Sequence, residues 1–153
     1  MSGYPVVVIR HWKERIAKCS LRLLHERPGF TFLRARPGWS FDSTGHLLLA
    51  VDAPPLTPAD AGPPLLLLDS TWRLLPALER CLTGTPIRRS IPGGIPTAYP
   101  RASRVFADPP AGLASLEALY VALRILWRDE PSLLDGYHWR AEFLAGLAAH
   151  GGR

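Results

Sequence analysis

Leu65-Leu66-Leu67-Leu68-Asp69-Ser70-Thr71-Trp72 lies near the middle of a chain of 153 residues. Four consecutive Leu leave no polar face. The segment therefore predicts a strand covered on both sides, as in a parallel sheet flanked by helices. The run stops at an acid. In open α/β sheets ligands bind beyond the carboxyl ends of the strands, so Asp69 is expected at the edge where a small-molecule site lies, with Trp72 entering the following helix. Outward from this segment come Arg88-Arg89-Ser90-Ile91-Pro92, then Pro96-Thr97-Ala98-Tyr99-Pro100-Arg101, then Ser115-Leu116-Glu117-Ala118-Leu119-Tyr120. Ser115 reads as the cap of a helix and Glu117 as an acid in its first turn, favoured there by the helix dipole.

The same logic extends along the chain. Val6-Val7-Val8-Ile9, within Tyr4 to Arg10, is β-branched and predicts another buried strand ending at His11. From Trp12 to Leu24, apolar Ile16, Leu23 and Leu24 against Lys13, Arg15, Lys18 and Arg22 predict a short basic helix or two turns. After the Pro28-Gly29 turn, Phe30 to Arg36 alternates as a strand. His46 to Val51 predicts a third strand, Leu65 to Asp69 a fourth and Ile87 to Ile91 a fifth. Thr57 and Pro58 mark the cap and first position of a short helix. A longer helix is expected from Thr71 to Leu82, with Pro76 in its first turns and Gly84 as its stop. Residues 92 to 112, rich in Pro and Gly, predict an extended loop, and such loops are often functional. Beyond it Leu116 to Arg128 is apolar almost all round, hence a buried helix. A last helix starts at Glu130-Pro131-Ser132 and turns Leu133, Leu134, Tyr137, Phe143, Leu144 and Leu147 inward. The expected organisation is an α/β lobe over 1–91 followed by a loop and helical lobe over 92–153, packed as one compact unit.

Apolar residues make up 47% of the chain and charged residues 20%, which predicts a folded globular protein. The net charge of +5 comes mostly from Arg, which suits phosphate contact through the planar guanidinium and equally suits simple solubility. Two cysteines, Cys19 and Cys81, build no disulfide framework, so a reducing compartment is the default. The N-terminus has no basic leader and its apolar run is short, and no apolar segment reaches spanning length. A cytoplasmic protein without a membrane partner is therefore expected. His11, His25, His46 and His138 have no metal-ligand spacing, and no metal is expected.

Asp69-Ser70-Thr71-Trp72, Ile91-Pro92, Pro96-Thr97-Ala98-Tyr99 and Ser115-Leu116-Glu117-Ala118, in this order, resemble the signature of the RNA 3-amino-3-carboxypropyltransferases. That superfamily joins the small-subunit rRNA enzymes, which act in ribosome biogenesis, and the DTW-domain tRNA enzymes. Asp69 to Trp72 matches the Asp-x-Thr-Trp of the second group. His11, Lys18-Cys19-Ser20 and Arg22-Leu23 match the first in kind, and the chain has no cysteine-rich N-terminus of the DTW kind, so the resemblance leans to the rRNA branch. It implies a SPOUT-like α/β fold: about five strands in a mostly parallel sheet with a trefoil knot, followed by a helical C-terminal lobe. It further implies S-adenosylmethionine as donor, RNA as partner and a monomer. The knot is implied by the resemblance alone, since no pattern in the chain encodes one and knots are rare.

In that chemistry the acceptor is a ring nitrogen of a uridine-type base. The protein selects the long chain of the sulfonium over its methyl by placement, and a carboxylate takes the ring proton or orients the base. The resemblance makes Asp69 the first candidate for this carboxylate and Glu117 the second. Ser20, Leu68, Trp72, Ile91, Ser115 and Leu116 are candidates for holding the donor. Lys13, Arg15, Lys18, Arg22, Arg88, Arg89, Arg101 and Arg104 would meet RNA phosphates, with Tyr99 stacking on a base. The rival readings are a DTW-type tRNA enzyme, a SPOUT-like RNA methyltransferase that would release S-adenosylhomocysteine instead of methylthioadenosine, and a non-catalytic RNA-binding module. Read apart from the motif, Asp69 is a helix cap, Trp72 and Ile91 are core, and Glu117 is a dipole partner.

Overall fold

A computed structural model describes residues 4–14, 21, 24–25, 27–71, 73–92 and 115–149. Five strands form the main sheet: β1 (Val6–Arg10), β2 (Phe30–Arg34), β4 (Leu47–Leu49), β5 (Leu65–Asp69) and β7 (Ile87–Arg89). Their order is β2-β1-β5-β4-β7, and every pairing is parallel. The apolar runs Val6–Ile9 and Leu65–Leu68 thus lie side by side in the interior of the sheet. Val6 pairs with Leu65 at one end and Arg10 with Asp69 at the other.

Successive residues of a strand point to opposite faces, and both faces are covered. Val6, Val8, Leu47, Leu65 and Leu67 pack against α2 (Ser115–Leu126) and the segment after it. Ile9, Leu48 and Leu66 pack on the other side with Ala35, Leu78 and Cys81, around α1 (Leu75–Glu79). Of the four Leu expected to be covered, Leu65 and Leu66 are wholly inaccessible, Leu67 is buried and Leu68 is partly buried. A second, two-stranded sheet pairs β3 (Phe41–Asp42) with β6 (Leu82–Thr83), also in parallel.

This small sheet explains why the expected helix over Thr71 to Leu82 shortens to Leu75–Glu79. The chain leaves the helix so that the Phe41 N–H can bond Cys81 O at 2.9 Å and the Ser43 N–H can bond Thr83 O at 2.8 Å. Pro76 does sit in the first turn, where its missing amide costs nothing. Strand boundaries also contract: the expected Phe30–Arg36, His46–Val51 and Ile87–Ile91 become Phe30–Arg34, Leu47–Leu49 and Ile87–Arg89, with Ser90 making one further parallel bridge to Pro55. Thr57 and Pro58 open a 3₁₀ turn over Pro58–Asp60, where the Thr57 N–H bonds the Asp60 carboxylate at 2.9 Å.

At the C-terminal end the expected single helix from Glu130 is two pieces. A 3₁₀ turn covers Pro131–Leu134, and α3 spans Arg140–Ala149. Gly136 separates them at φ 82°, a left-handed conformation that glycine adopts without steric cost. Leu133, Leu134, Tyr137, Phe143 and Leu147 are buried against α2 and the sheet, as the inward positions require. Among the described residues no helix is long and apolar enough to cross a membrane.

The SPOUT trefoil knot is corrected. The described elements establish a five-stranded parallel α/β sheet followed by helices. Threading a chain through its own loop is disfavoured in folding generally, and only the family resemblance called for it.

Candidate active site at the carboxyl edge of the sheet

All five strands of the main sheet run in one direction, so their carboxyl ends share one edge. From β1 the chain crosses to β2 on one side. From the adjacent β5 it passes through α1 and reaches β7, beyond β4, on the other side. The two connections therefore diverge between the ends of β1 and β5. Such a topological switch point leaves a crevice where ligands of open α/β sheets bind.

Arg10 and Asp69 stand at this point. Arg10 Nε lies 3.1 Å from Asp69 Oδ2, and both side chains are almost fully covered. A buried pair of this kind needs further hydrogen bonds to offset desolvation. One is supplied from the far side of the chain: the Ser115 hydroxyl donates to Asp69 Oδ1 at 3.2 Å. The first residue of α2 is thus tied to the last residue of β5. Ser115 was expected to cap its own helix, and its hydroxyl instead serves the strand end. Backbone bonds lock the same rung, from the His11 N–H to Asp69 O at 3.2 Å and from the Ala35 N–H to Arg10 O at 2.9 Å. The Arg10 guanidinium also lies 5.9 Å from the centre of the Phe32 ring, on β2.

His11 follows Arg10 and is buried. Its ring stacks on Trp12 with centroids 3.8 Å apart, and its Nδ1 accepts from the Lys13 N–H at 3.0 Å. An accepting Nδ1 leaves the ring proton on Nε2. Burial, and then the Lys13 charge, hold its pKa below the ordinary 6.5, so the neutral form belongs to the fold.

Of the expected donor-site residues, Ser115 reaches Asp69, while Leu68 and Ile91 are partly buried against opposite cores. The structure does not bring these two together on one face. Leu116 is wholly buried in the core under α2. Glu117, the second candidate carboxylate, is also wholly inaccessible, and it accepts from the Tyr137 hydroxyl at 3.1 Å. Ser20 and Trp72 lie outside the described residues, as do Arg15, Lys18, Arg22, Tyr99, Arg101 and Arg104.

Among the expected RNA contacts, Lys13 and Arg88 are exposed. Arg88 makes a loose pair with Glu79 at 3.7 Å. Arg89 is engaged in the fold: its Nε lies 3.1 Å from Asp60 Oδ1 and its Nη1 donates to Arg88 O at 2.7 Å.

Three site residues were not anticipated. Arg10 had a visible signal, because it ends the Val-rich run as Asp69 ends the Leu-rich run, and neighbouring parallel strands end at the same edge. Tyr137, the partner of Glu117, and Arg34, which anchors the loop after β1 through Trp12 O at 3.0 Å, carry no local signal.

No protein-family model matches the chain, and no curated protein matches it. A solved structure does: the SAM-dependent rRNA:acp-transferase Tsr3 from Vulcanisaeta distributa superposes with a TM-score of 0.69 at 21% identity, over 95% of this chain and 80% of that one. The likeness is one of fold, and with the observed sheet it replaces the SPOUT trefoil knot as the architecture assigned to this protein.

Proposed function

We propose that this protein transfers the 3-amino-3-carboxypropyl group of S-adenosylmethionine to a uridine-type base in RNA, and that the RNA is ribosomal. One observation carries the reading. Asp69-Ser70-Thr71 emerges from the switch point of a fold shared with an enzyme described as a SAM-dependent rRNA:acp-transferase, and Ser115, from the last motif of the sequence, closes onto Asp69 there.

The groups at this edge suit such a donor. Ile91 offers apolar surface on the face that α2 covers, and Ser115 and Asp69 offer a hydroxyl and a carboxylate. When bound, the donor supplies a carbon made electrophilic by the neighbouring sulfonium. The protein's part is placement. Asp69, held at the strand end by Arg10 and Ser115, is assigned the task of orienting the uridine N–H or taking its proton. Glu117, enclosed against Tyr137, is read as a positioning residue that fixes the start of α2 and with it Ser115. Lys13 and Arg88, with the basic residues outside the described segments, are assigned to RNA phosphates, and Arg89 is assigned to the Asp60 contact.

Calorimetric titration with S-adenosylmethionine tests the reading. The parent is expected to bind, and Trp72→Ala, next to Thr71, to lose affinity. Absence of binding by a folded parent at saturating donor would contradict the proposal and favour a non-catalytic RNA-binding module.

A further inference from the structure

Strand pairing at the switch point ends at Arg10 and Asp69, and one more backbone bond, from the His11 N–H to Asp69 O, follows it. Past that rung the loops after β1 and β5 diverge, yet a side chain ties them. Glu14 Oε2 accepts from the Thr71 backbone N–H at 2.6 Å. Hydrogen bonds to an ionised acceptor are shorter and stronger than neutral ones.

Both ends of this contact are themselves fixed. The Glu14 N–H bonds His11 O at 3.0 Å, closing a turn. Arg34, the last residue of β2, donates from Nη1 to Trp12 O at 3.0 Å and to Glu14 O at 3.4 Å. On the other side, Thr71 O accepts from the Leu74 and Leu75 N–H groups, each at 3.0 Å, starting the turns that lead into α1. Arg34, Glu14 and Thr71 thus form a chain of contacts across the ends of three adjacent strands, β2, β1 and β5. The carboxylate of Glu14 is the link that spans the crevice.

We propose that Glu14 is a positioning residue for donor binding: by holding the Thr71 amide it sets the separation of the two loops between which S-adenosylmethionine is bound. This rests on the function proposed above. Glu14 acts through Thr71 and touches no reacting atom. Gln at this position keeps an acceptor oxygen of similar reach, whereas Ala removes it.

The test is calorimetric titration of the parent, Glu14→Gln and Glu14→Ala with S-adenosylmethionine, together with amide hydrogen exchange at Thr71. The Ala variant is expected to bind roughly tenfold more weakly, the scale of one lost charge-assisted hydrogen bond, and to exchange its Thr71 amide faster. The Gln variant is expected to restore most of both. Faster exchange with unchanged affinity in Glu14→Ala would reduce Glu14 to a loop stabiliser and overturn the proposal, while leaving the proposed function intact. Unchanged exchange would overturn the contact itself. A parent that binds no donor would overturn the proposed function, and this inference with it. Should Glu14→Ala fail to fold, Arg34→Met, which releases the loop from its other side, is titrated in its place with the same outcomes.

Discussion

Arg10 and Asp69 share a rung of the parallel sheet, and their side chains meet across it at 3.1 Å with little exposure. Removing one partner of a buried ion pair strands the other charge, at a cost of about 3–5 kcal/mol. Arg10→Ala and Asp69→Ala are therefore each expected to lower unfolding free energy by that amount in urea titrations. The double variant is expected to cost clearly less than the two single losses together, because no charge is left stranded. Additive losses would show that the two residues do not act as a pair.

The turn after β6 makes a second prediction. Gly84 has φ 77°, and a Cβ built there would lie 2.1 Å from Thr44 Oγ1 and 2.4 Å from Asp42 Oδ1. Gly45 has φ 81° and open space around it. Gly45→Ala thus bears only the left-handed backbone cost of about 1–2 kcal/mol. Gly84→Ala bears that cost and must also displace the Asp42 and Thr44 side chains, which accept from the Thr44 and Thr85 N–H groups. Thermal denaturation of both variants is expected to rank Gly84→Ala as the more damaging. Equal losses would mean that the Thr44 and Asp42 side chains give way freely.

The contrast between legible and illegible parts follows from range. Leu65–Asp69 could be read as a covered strand because four Leu admit no exposed face, and the strand has those bounds. Ser115 was placed near the site but given the wrong partner, since a hydroxyl at a helix start bonds locally unless the fold brings something better. The helix was expected to run on through Leu82, with Gly84 as its stop, whereas Leu82 and Thr83 form a strand. Their pairing with Phe41 and Asp42 spans 41 residues of chain and leaves no local trace. The place of Arg10 at a strand end is visible in the sequence, but its contact with Asp69 follows only from the pairing of β1 with β5. The expected single helix from Glu130 is interrupted at Gly136, whose backbone is left-handed. The knot had no physical signal at all.

His11 gives the fold a pH dependence of definite sign. Its pKa in the folded protein lies below 6.5, from burial first and the Lys13 charge second. The unfolded chain thus takes up the proton first. The stability contributed by neutral His11 is fully present above about pH 6.5 and is lost as pH falls from there through the folded value. The loss is bounded by one proton, about 1.4 kcal/mol per pH unit. His11→Asn, whose side-chain oxygen can accept from the Lys13 N–H, is expected to flatten this segment of the stability curve measured by urea titration. A curve with the same slope in parent and variant would assign the dependence elsewhere.

Tyr120 makes the opposite case at alkaline pH. Burial, followed by the hydrogen bond to the Asp129 carboxylate and its charge, pushes the phenol from 10.0 up to about 12. A raised value means that the contribution is present below the unfolded pKa and is lost as pH rises from about 10 towards 12. Absorbance titration of tyrosinate is expected to show a late-ionising group that is missing in Tyr120→Phe and shifted downward in Asp129→Asn. Simultaneous ionisation of all tyrosines near pH 10 in the folded protein would contradict this placement.

The central claim is the transfer reaction, and its by-product tests it most directly. The purified protein is incubated with S-adenosylmethionine and RNA from cells lacking the protein, and the adenosine products are separated by mass spectrometry. Aminocarboxypropyl transfer predicts methylthioadenosine in amounts equal to a new aminocarboxypropyl-uridine in rRNA. S-adenosylhomocysteine with methylated RNA, or no product from a folded protein, would contradict it.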